Sequence, residues 1–264
     1  MFENREKEEI FFLDTEKSGK FYDLETHKVI FDRYSFALKL CEGKRVLEVG
    51  CGSGLGLELL SNSCTSFDAI EYCERNIQLL RQKDVGKAKI IHGDAHQTNF
   101  RSHSFDLVIA LAMIYYLNLH KFLIEVQRLL DQDGVLFFCT SNKDVPGFCK
   151  APGTTEYYSV PELYSILTDM GFECEIFGAF PKPGGSLPFR QFKALMKNSI
   201  KKIFYGSKFG ISLWDKMRTK RLGKKFQLPS KMTENDITSV ETTLLNPNLK
   251  DYSHRVIYIV ARKK

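Results

Sequence analysis

The sequence predicts an α/β domain built on a parallel sheet, and three features carry that prediction. Apolar strand-like runs alternate with helical patterns from Lys44 to Phe180, the signature of repeated βαβ units. One run, V-L-E-V, breaks into G-C-G-S-G, with glycines at 50, 52 and 54 before a helical pattern at Leu55–Leu60. Two later strand ends carry acids, Glu71 and Asp94, and in open α/β sheets ligands bind beyond the carboxyl ends of the strands.

At 264 residues the chain can form one large α/β domain, or an ordinary domain with an elaboration. Ahead of the sheet, Thr26–Leu40 reads as an amphipathic helix with Ile30, Tyr34, Ala37, Leu38 and Cys41 near one face. The expected strands are Arg45–Gly50, Ser66–Glu71, Ala88–His92, Phe105–Ala110, Gly134–Thr140 and Phe172–Phe180. Helices are expected near Leu55–Ser61, Cys73–Lys83, Lys121–Leu130 and Val160–Met170. The last has Ser159 as N-cap, Glu162 at capping-box distance and Gly171 as its stop. The run His254–Arg262 is β-branched and too short for a core helix. The organisation expected is a helical cap at 1–43, a core at 44–180 and 252–264, and a basic insertion at 181–251.

A strand that turns into a helix beside a ligand needs backbone that can come close and adopt positive φ, which Gly50, Gly52 and Gly54 supply. The helix start that follows presents unpaired N–H groups. A dinucleotide loop requires G-x-G-x-x-G. Here its third place falls on Leu55 or Leu57, and the string is E-x-G-x-G-x-G with Glu48 inside the strand end. On these residues the chain resembles the class I S-adenosylmethionine (SAM)-dependent methyltransferases. The resemblance implies a Rossmann-like seven-stranded sheet, order 3-2-1-4-5-7-6, with an antiparallel last strand and helices on both faces. It also implies SAM as cofactor and S-adenosylhomocysteine as product.

By that resemblance Gly50, Cys51, Gly52 and Gly54 lie under the methionine part of SAM, and Glu48 fixes the loop and the ligand's amine. Tyr22, Arg33 and Tyr34 on the preceding cap are candidate contacts to its carboxylate. Glu71 stands about twenty residues beyond the glycine loop, where a carboxylate can accept from both ribose hydroxyls. Otherwise it is a solvated strand end. Tyr72 could lie against adenine. In G-D-A, Asp94 and Ala95 match the motif that meets the adenine amino group and a ring nitrogen. Leu111, directly after the fourth strand, opens the stretch that matches the one passing the sulfonium. Tyr115 and Tyr116 occupy the pair that points at the acceptor, where many relatives carry histidines. A tyrosine is a poor base at neutral pH unless its pKa is lowered, and each reads equally well as a core aromatic.

The loop after the fifth strand offers Asn142, Lys143, Tyr157 and Tyr158 as acceptor-binding candidates. Its N-K-D and Y-Y-S strings are similar to those of a bacterial branch of methyltransferases, type 11-like, associated with cell-surface sugar or lipid modification. Methyl transfer from an activated sulfonium mainly needs alignment and exclusion of water. A base is required only where the acceptor must lose a proton. The sequence assigns no catalytic base and names no acceptor. A hydroxyl of a sugar, lipid or lipid-linked intermediate is the leading class. Alternatives are a phosphate-bearing small molecule, nucleic acid, or a SAM-binding protein without catalysis. An aminopropyl transferase would want acids near Leu111-Ala112-Met113, and none stands there.

The net charge of +6 conceals an asymmetry. Pro181 to Met232 carries fourteen basic residues against Asp215, so that segment is +13 and the remainder −7. Within it Phe189, Phe192, Leu195 or Met196, Ile200 and Ile203 form a helical stripe among lysines. A cover helix, a helix lying on an anionic membrane and a basic wall for a phosphate-bearing partner all fit this pattern. No RNA-binding module is evident, so nucleic acid ranks last. Seven scattered cysteines without C-x-x-C read as reduced thiols. His92 and His96 lack a third ligand, so no metal is expected. No apolar run reaches bilayer length and the N-terminus M-F-E-N-R-E-K-E-E is charged, so a cytoplasmic protein, peripheral on the membrane at most, is expected.

Overall fold

The computed structural model describes residues 12, 15–151, 153–182, 225–239 and 241–264. The stripe from Phe189 to Ile203 and its lysines lie outside them. The central sheet contains β2 (Arg45–Val49), β3 (Ser66–Glu71), β4 (Lys89–His92), β5 (Phe105–Leu111), β6 (Leu130–Ser141), β7 (Phe172–Pro181), β9 (Thr243–Leu244) and β10 (His254–Lys263). Their order is β4-β3-β2-β5-β6-β10-β7-β9. The first five pair in parallel, and β10 runs antiparallel between β6 and β7. The seven expected strands are therefore present in the expected order. The two-residue β9 adds an eighth at the edge, antiparallel to β7.

Alternation along the strands splits the core into two layers. On β6, Val135, Phe137 and Cys139 face one cluster while Leu136 and Phe138 face the other. The first cluster packs under α1 (Leu24–Cys41), α2 (Leu57–Asn62) and α3 (Glu74–Leu80); the second under α4 (Leu119–Leu129) and α5 (Val160–Asp169). Fully buried Phe137, Phe138 and Phe122 each contribute roughly 1.5–3 kcal/mol of hydrophobic stabilisation.

Local chemistry sets the helix ends. Asp23 caps α1 by accepting from the Thr26 N–H at 2.8 Å. Asn118 caps α4 through the Lys121 N–H at 3.1 Å. Ser159 and Glu162 form the expected capping box on α5, and Gly171 follows its end at φ +81°. The buried face of α1 carries Ile30, Tyr34, Ala37 and Cys41 as expected, and also buries Asp32 and Arg33. Asp32 accepts from the Tyr258 hydroxyl of β10 at 2.6 Å, so a polar contact joins the cap to the sheet across 226 residues.

Several boundaries differ from the expectation. β6 starts at Leu130 rather than Gly134, because an irregularity lets Leu130 pair with Phe105 before Val135 pairs with Leu107. α2 starts at Leu57 rather than Leu55 and has only six residues. An unexpected two-stranded ribbon pairs β1 (Phe21–Asp23) with β8 (Lys225–Gln227). Just beyond it Leu228 and Met232 are buried in the first cluster, and Met232 N–H donates to the Leu55 carbonyl at 2.8 Å. Residues Lys225 to Met232 thus pair with the N-terminal strand β1 and reach the residue that follows the glycine loop.

Candidate cofactor-binding site

At the carboxyl ends of β2, β3, β4 and β5 lies a cavity of about 330 Å³. Its floor is the glycine loop. Gly50, Gly52 and Gly54 all have positive φ, at 72°, 57° and 72°. Gly50 and Cys51 N–H groups donate to the Ile70 carbonyl, which folds the loop back over β3. At Gly50 a Cβ would come within 2.9 Å of the Met113 side chain, so close approach as well as φ demands glycine there. Because α2 begins only at Leu57, the N–H groups at the cavity are those of the loop itself, not of a helix terminus.

Glu71, ending β3, is 6% exposed and holds this loop in place. One carboxylate oxygen accepts from the Gly52 N–H at 2.8 Å; the other accepts from the Cys73 N–H at 2.8 Å. Burial pushes its pKa up, against the Cys73 and Gly52 N–H groups and the Asn76 amide, which favour the ionised form. A carboxylate has about four acceptor positions, so these contacts leave capacity for ribose hydroxyls. Tyr72 follows it at the rim, 36% exposed.

Asp94 and Ala95 line the next part of the wall. Asp94 Oδ1 accepts from the His96 N–H at 2.9 Å and lies 2.7 Å from His96 Nδ1. Leu111 closes the end of β5, and the next residue, Ala112, has φ +56°, strained backbone at the point where the chain crosses the cavity. Tyr115 and Tyr116 stand on the short 3-10 turn Ile114–Tyr116 beyond it. Both line the cavity.

Arg33, a candidate from the sequence, is 6% exposed and reaches the cavity from α1, where it pairs with Glu16, which also lines the cavity. Several further contributors were not read from the sequence. The Thr15–Glu16 segment is fixed by Asn76 Nδ2 donating to Thr15 Oγ1 at 3.0 Å and by Ser53 Oγ donating to the Glu16 carbonyl. Lys83 bonds the Ser53 and Gly54 carbonyls at 2.8 and 3.1 Å, bracing the loop from behind. Glu16, Thr15 and Lys83 belong to no motif. Only their contacts mark them.

The other candidates divide between the cavity and the core behind it. Tyr34 lines the cavity with Arg33, whereas Tyr22 packs against the first core cluster. Gly54 sits behind the loop, against Leu57 and Leu80. Glu48 is buried behind it as well, 1% exposed, with Oε2 unbonded. Burial raises its pKa to about 8, reinforced by Glu71 and opposed by Arg33, so it carries a proton at neutral pH. A neutral carboxyl outside the cavity lining does not fit the role of ammonium ligand. The Glu48 pKa lies above its ordinary 4.5, so the stability it contributes is complete below pH 4.5 and is lost as pH rises through 8. Glu48→Gln should therefore flatten the fall in melting temperature between those pH values and leave the acid side unchanged, as thermal melts across that range would show.

The loop after β6 also departs from expectation. Asn142 is 2% exposed and donates to the Asp251 and His254 carbonyls at 2.8 and 2.9 Å, locking β6 to the entry of β10. Lys143 pairs with Glu162 at 2.5 Å on α5. Neither side chain lines the cavity, and neither does Tyr158. Tyr157 is buried behind Tyr115, their rings stacked at 4.7 Å and 19°. It supports the cavity wall without lining it. Burial, then Tyr157, pushes the Tyr115 hydroxyl well above the usual phenol range, so Tyr115 can donate a hydrogen bond but cannot serve as a base at neutral pH. Among the described residues no group of three or more His, Cys, Asp or Glu is placed to hold a metal ion, and no helix is long and apolar enough to cross a membrane.

A switch-point cavity over a positive-φ glycine loop, with a carboxylate at the second strand end, is the arrangement of the Rossmann-like methyltransferase fold. Comparison with known proteins gives the same class. Residues 47–138 match the methyltransferase-domain family, and several similar proteins are named SAM-dependent methyltransferases. A probable SAM-dependent methyltransferase of Mycolicibacterium smegmatis is 28% identical over 58% of this chain and 60% of its own length. A fatty-acid O-methyltransferase of the same organism is 30% identical over 42% of each chain. The match thus spans 60% and 42% of these two relatives' own lengths, under two thirds of either. A SAM-dependent methyltransferase structure from Archaeoglobus fulgidus superposes with a TM-score of 0.55 at 16% identity, covering 90% of this chain and 94% of that one, which establishes the shared fold.

Proposed function

We propose that this protein transfers a methyl group from SAM to a hydroxyl of a sugar, lipid or lipid-linked acceptor, releasing S-adenosylhomocysteine. The observation that carries the reading is the arrangement of polar groups around one cavity. Glu71 can take the ribose, and the Asp94–Ala95 turn the adenine edge. The Arg33–Glu16 pair is complementary in charge to the carboxylate and ammonium of the methionine part. In the transfer the sulfonium–methyl bond breaks as the acceptor oxygen bonds the methyl carbon, and the hydroxyl proton leaves with water or a base of the acceptor complex. Tyr115 is not that base; its hydroxyl is suited to orient the acceptor.

The lipid side of the acceptor range is favoured by the similarity to a fatty-acid O-methyltransferase and by the +13 segment at 181–232, which suits peripheral contact with an anionic membrane. A phosphate-bearing small molecule fits the same charge, and nucleic acid ranks below both. Incubation with methyl-labelled SAM and the lipid and aqueous fractions of a cell extract is expected to place label in the lipid fraction. Label in the aqueous fraction alone would move the acceptor to a soluble metabolite. Binding of S-adenosylhomocysteine without transfer to either fraction would favour a SAM-binding protein without catalysis.

A further inference from the structure

The cavity's adenine end and its acceptor end are joined by one side chain. His96 lies in the turn after β4 and lines the cavity beside Asp94. Its Nε2 is 3.0 Å from the backbone N of Asn118, and its Nδ1 is 2.7 Å from Asp94 Oδ1. A backbone N–H can only donate, so Nε2 is the acceptor and carries no proton. Nδ1 then bears the ring's proton and donates it to the carboxylate. Asn118 is separated by one residue from the turn that carries Tyr115 and Tyr116, and its own side chain caps α4. The imidazole therefore spans from the residue at the adenine edge to the hinge of the acceptor wall.

Resting on the cofactor reading above, we propose that His96 is a positioning residue that couples occupation of the adenine site to the Tyr115–Tyr116 turn. An adenine amino group on Asp94 orders that carboxylate. The ordered carboxylate fixes the imidazole, and the imidazole holds the Asn118 N–H and with it the start of α4. A bound nucleoside thereby stiffens the wall against which the acceptor must align, without touching it. The other partners of this network, the His96 N–H on Asp94 and the Asn118 side chain on Lys121 N–H, are local turn and cap bonds. Neither links the two ends.

Two near-isosteric variants separate the links. Histidine to asparagine keeps a donor at the Nδ1 place and removes the acceptor for Asn118. Histidine to glutamine keeps an acceptor at the Nε2 place and removes the donor to Asp94. The full-length protein, its His96→Asn and its His96→Gln forms would be titrated with S-adenosylhomocysteine. Amide hydrogen exchange at Asn118 would be followed with and without that ligand, and ring-nitrogen shifts read on the wild type. In the wild type, ligand should slow Asn118 exchange, and the shifts should show the proton on Nδ1. His96→Asn should bind the ligand within about twofold of wild type yet lose the protection at Asn118. His96→Gln should keep basal protection but bind about fivefold more weakly, the scale of one lost hydrogen bond. Equal ligand-induced protection in all three proteins, or a proton on Nε2, overturns the coupling. Failure of the wild type to bind S-adenosylhomocysteine overturns the cofactor reading, and the inference falls with it.

Discussion

Replacing Glu71 with alanine should weaken S-adenosylhomocysteine binding by at least about 100-fold, close to 3 kcal/mol. Two losses combine. The carboxylate that would accept from the ribose hydroxyls is removed, and hydrogen bonds to a charged group are worth about 1.5–3 kcal/mol each. The N–H groups of Gly52 and Cys73 lose their acceptor at the same time, so the glycine loop loses its anchor to the end of β3. Calorimetric titration of wild type, Glu71→Ala and Glu71→Gln would test this. The glutamine form retains an acceptor oxygen for one N–H and should fall between the others. Equal affinity in all three would remove Glu71 from the site.

Gly54→Val should be the most damaging single change in the loop. Gly54 has φ +72°, and a Cβ there would meet Leu80 Cδ2 at 2.5 Å and Leu57 Cδ1 at 2.8 Å. Both leucines are buried, at 2% and 0% exposure, so neither can swing into solvent. Left-handed strain of about 1–2 kcal/mol and overpacking of about 1–3 kcal/mol then add. For a chain of this size a loss of about 3 kcal/mol lowers the melting temperature by roughly 6–12 °C. Gly43→Ala is the control, because Gly43 has φ +67° but nothing within 4 Å of the added Cβ. It should show the backbone cost alone. Comparable melting temperatures for the two variants would mean that the leucines behind the loop give way freely.

The succession of strands and the glycine loop were legible in the sequence because each is a local signal, whereas the order of the strands in the sheet came from the resemblance to the methyltransferases. Period-two alternation, three glycines at alternate positions and an acid at a strand end need no distant partner to be recognised. The capping box at Ser159 and Glu162 is likewise a signature of four residues. The candidates that moved show where local reading stops. Asn142 and Lys143 sit in a loop at the carboxyl edge of the sheet, which marks a ligand-facing position. Their side chains instead satisfy Asp251, His254 and Glu162 from other elements. Whether a polar group faces a ligand or a neighbouring strand depends on partners that are far away in the chain.

The sequence by itself therefore determined the class of fold, the position of the cavity along the sheet and the residues whose backbone must come close to a ligand. Those follow from steric and periodic constraints acting within a few residues. The tertiary structure alone decided the rest. It brought Glu16 to Arg33, set Lys83 against the glycine-loop carbonyls and Tyr157 behind Tyr115, and placed Glu48 in a dry site where it holds its proton. Charge state and contact are properties of what surrounds a side chain, and the surroundings are assembled from segments up to hundreds of residues apart.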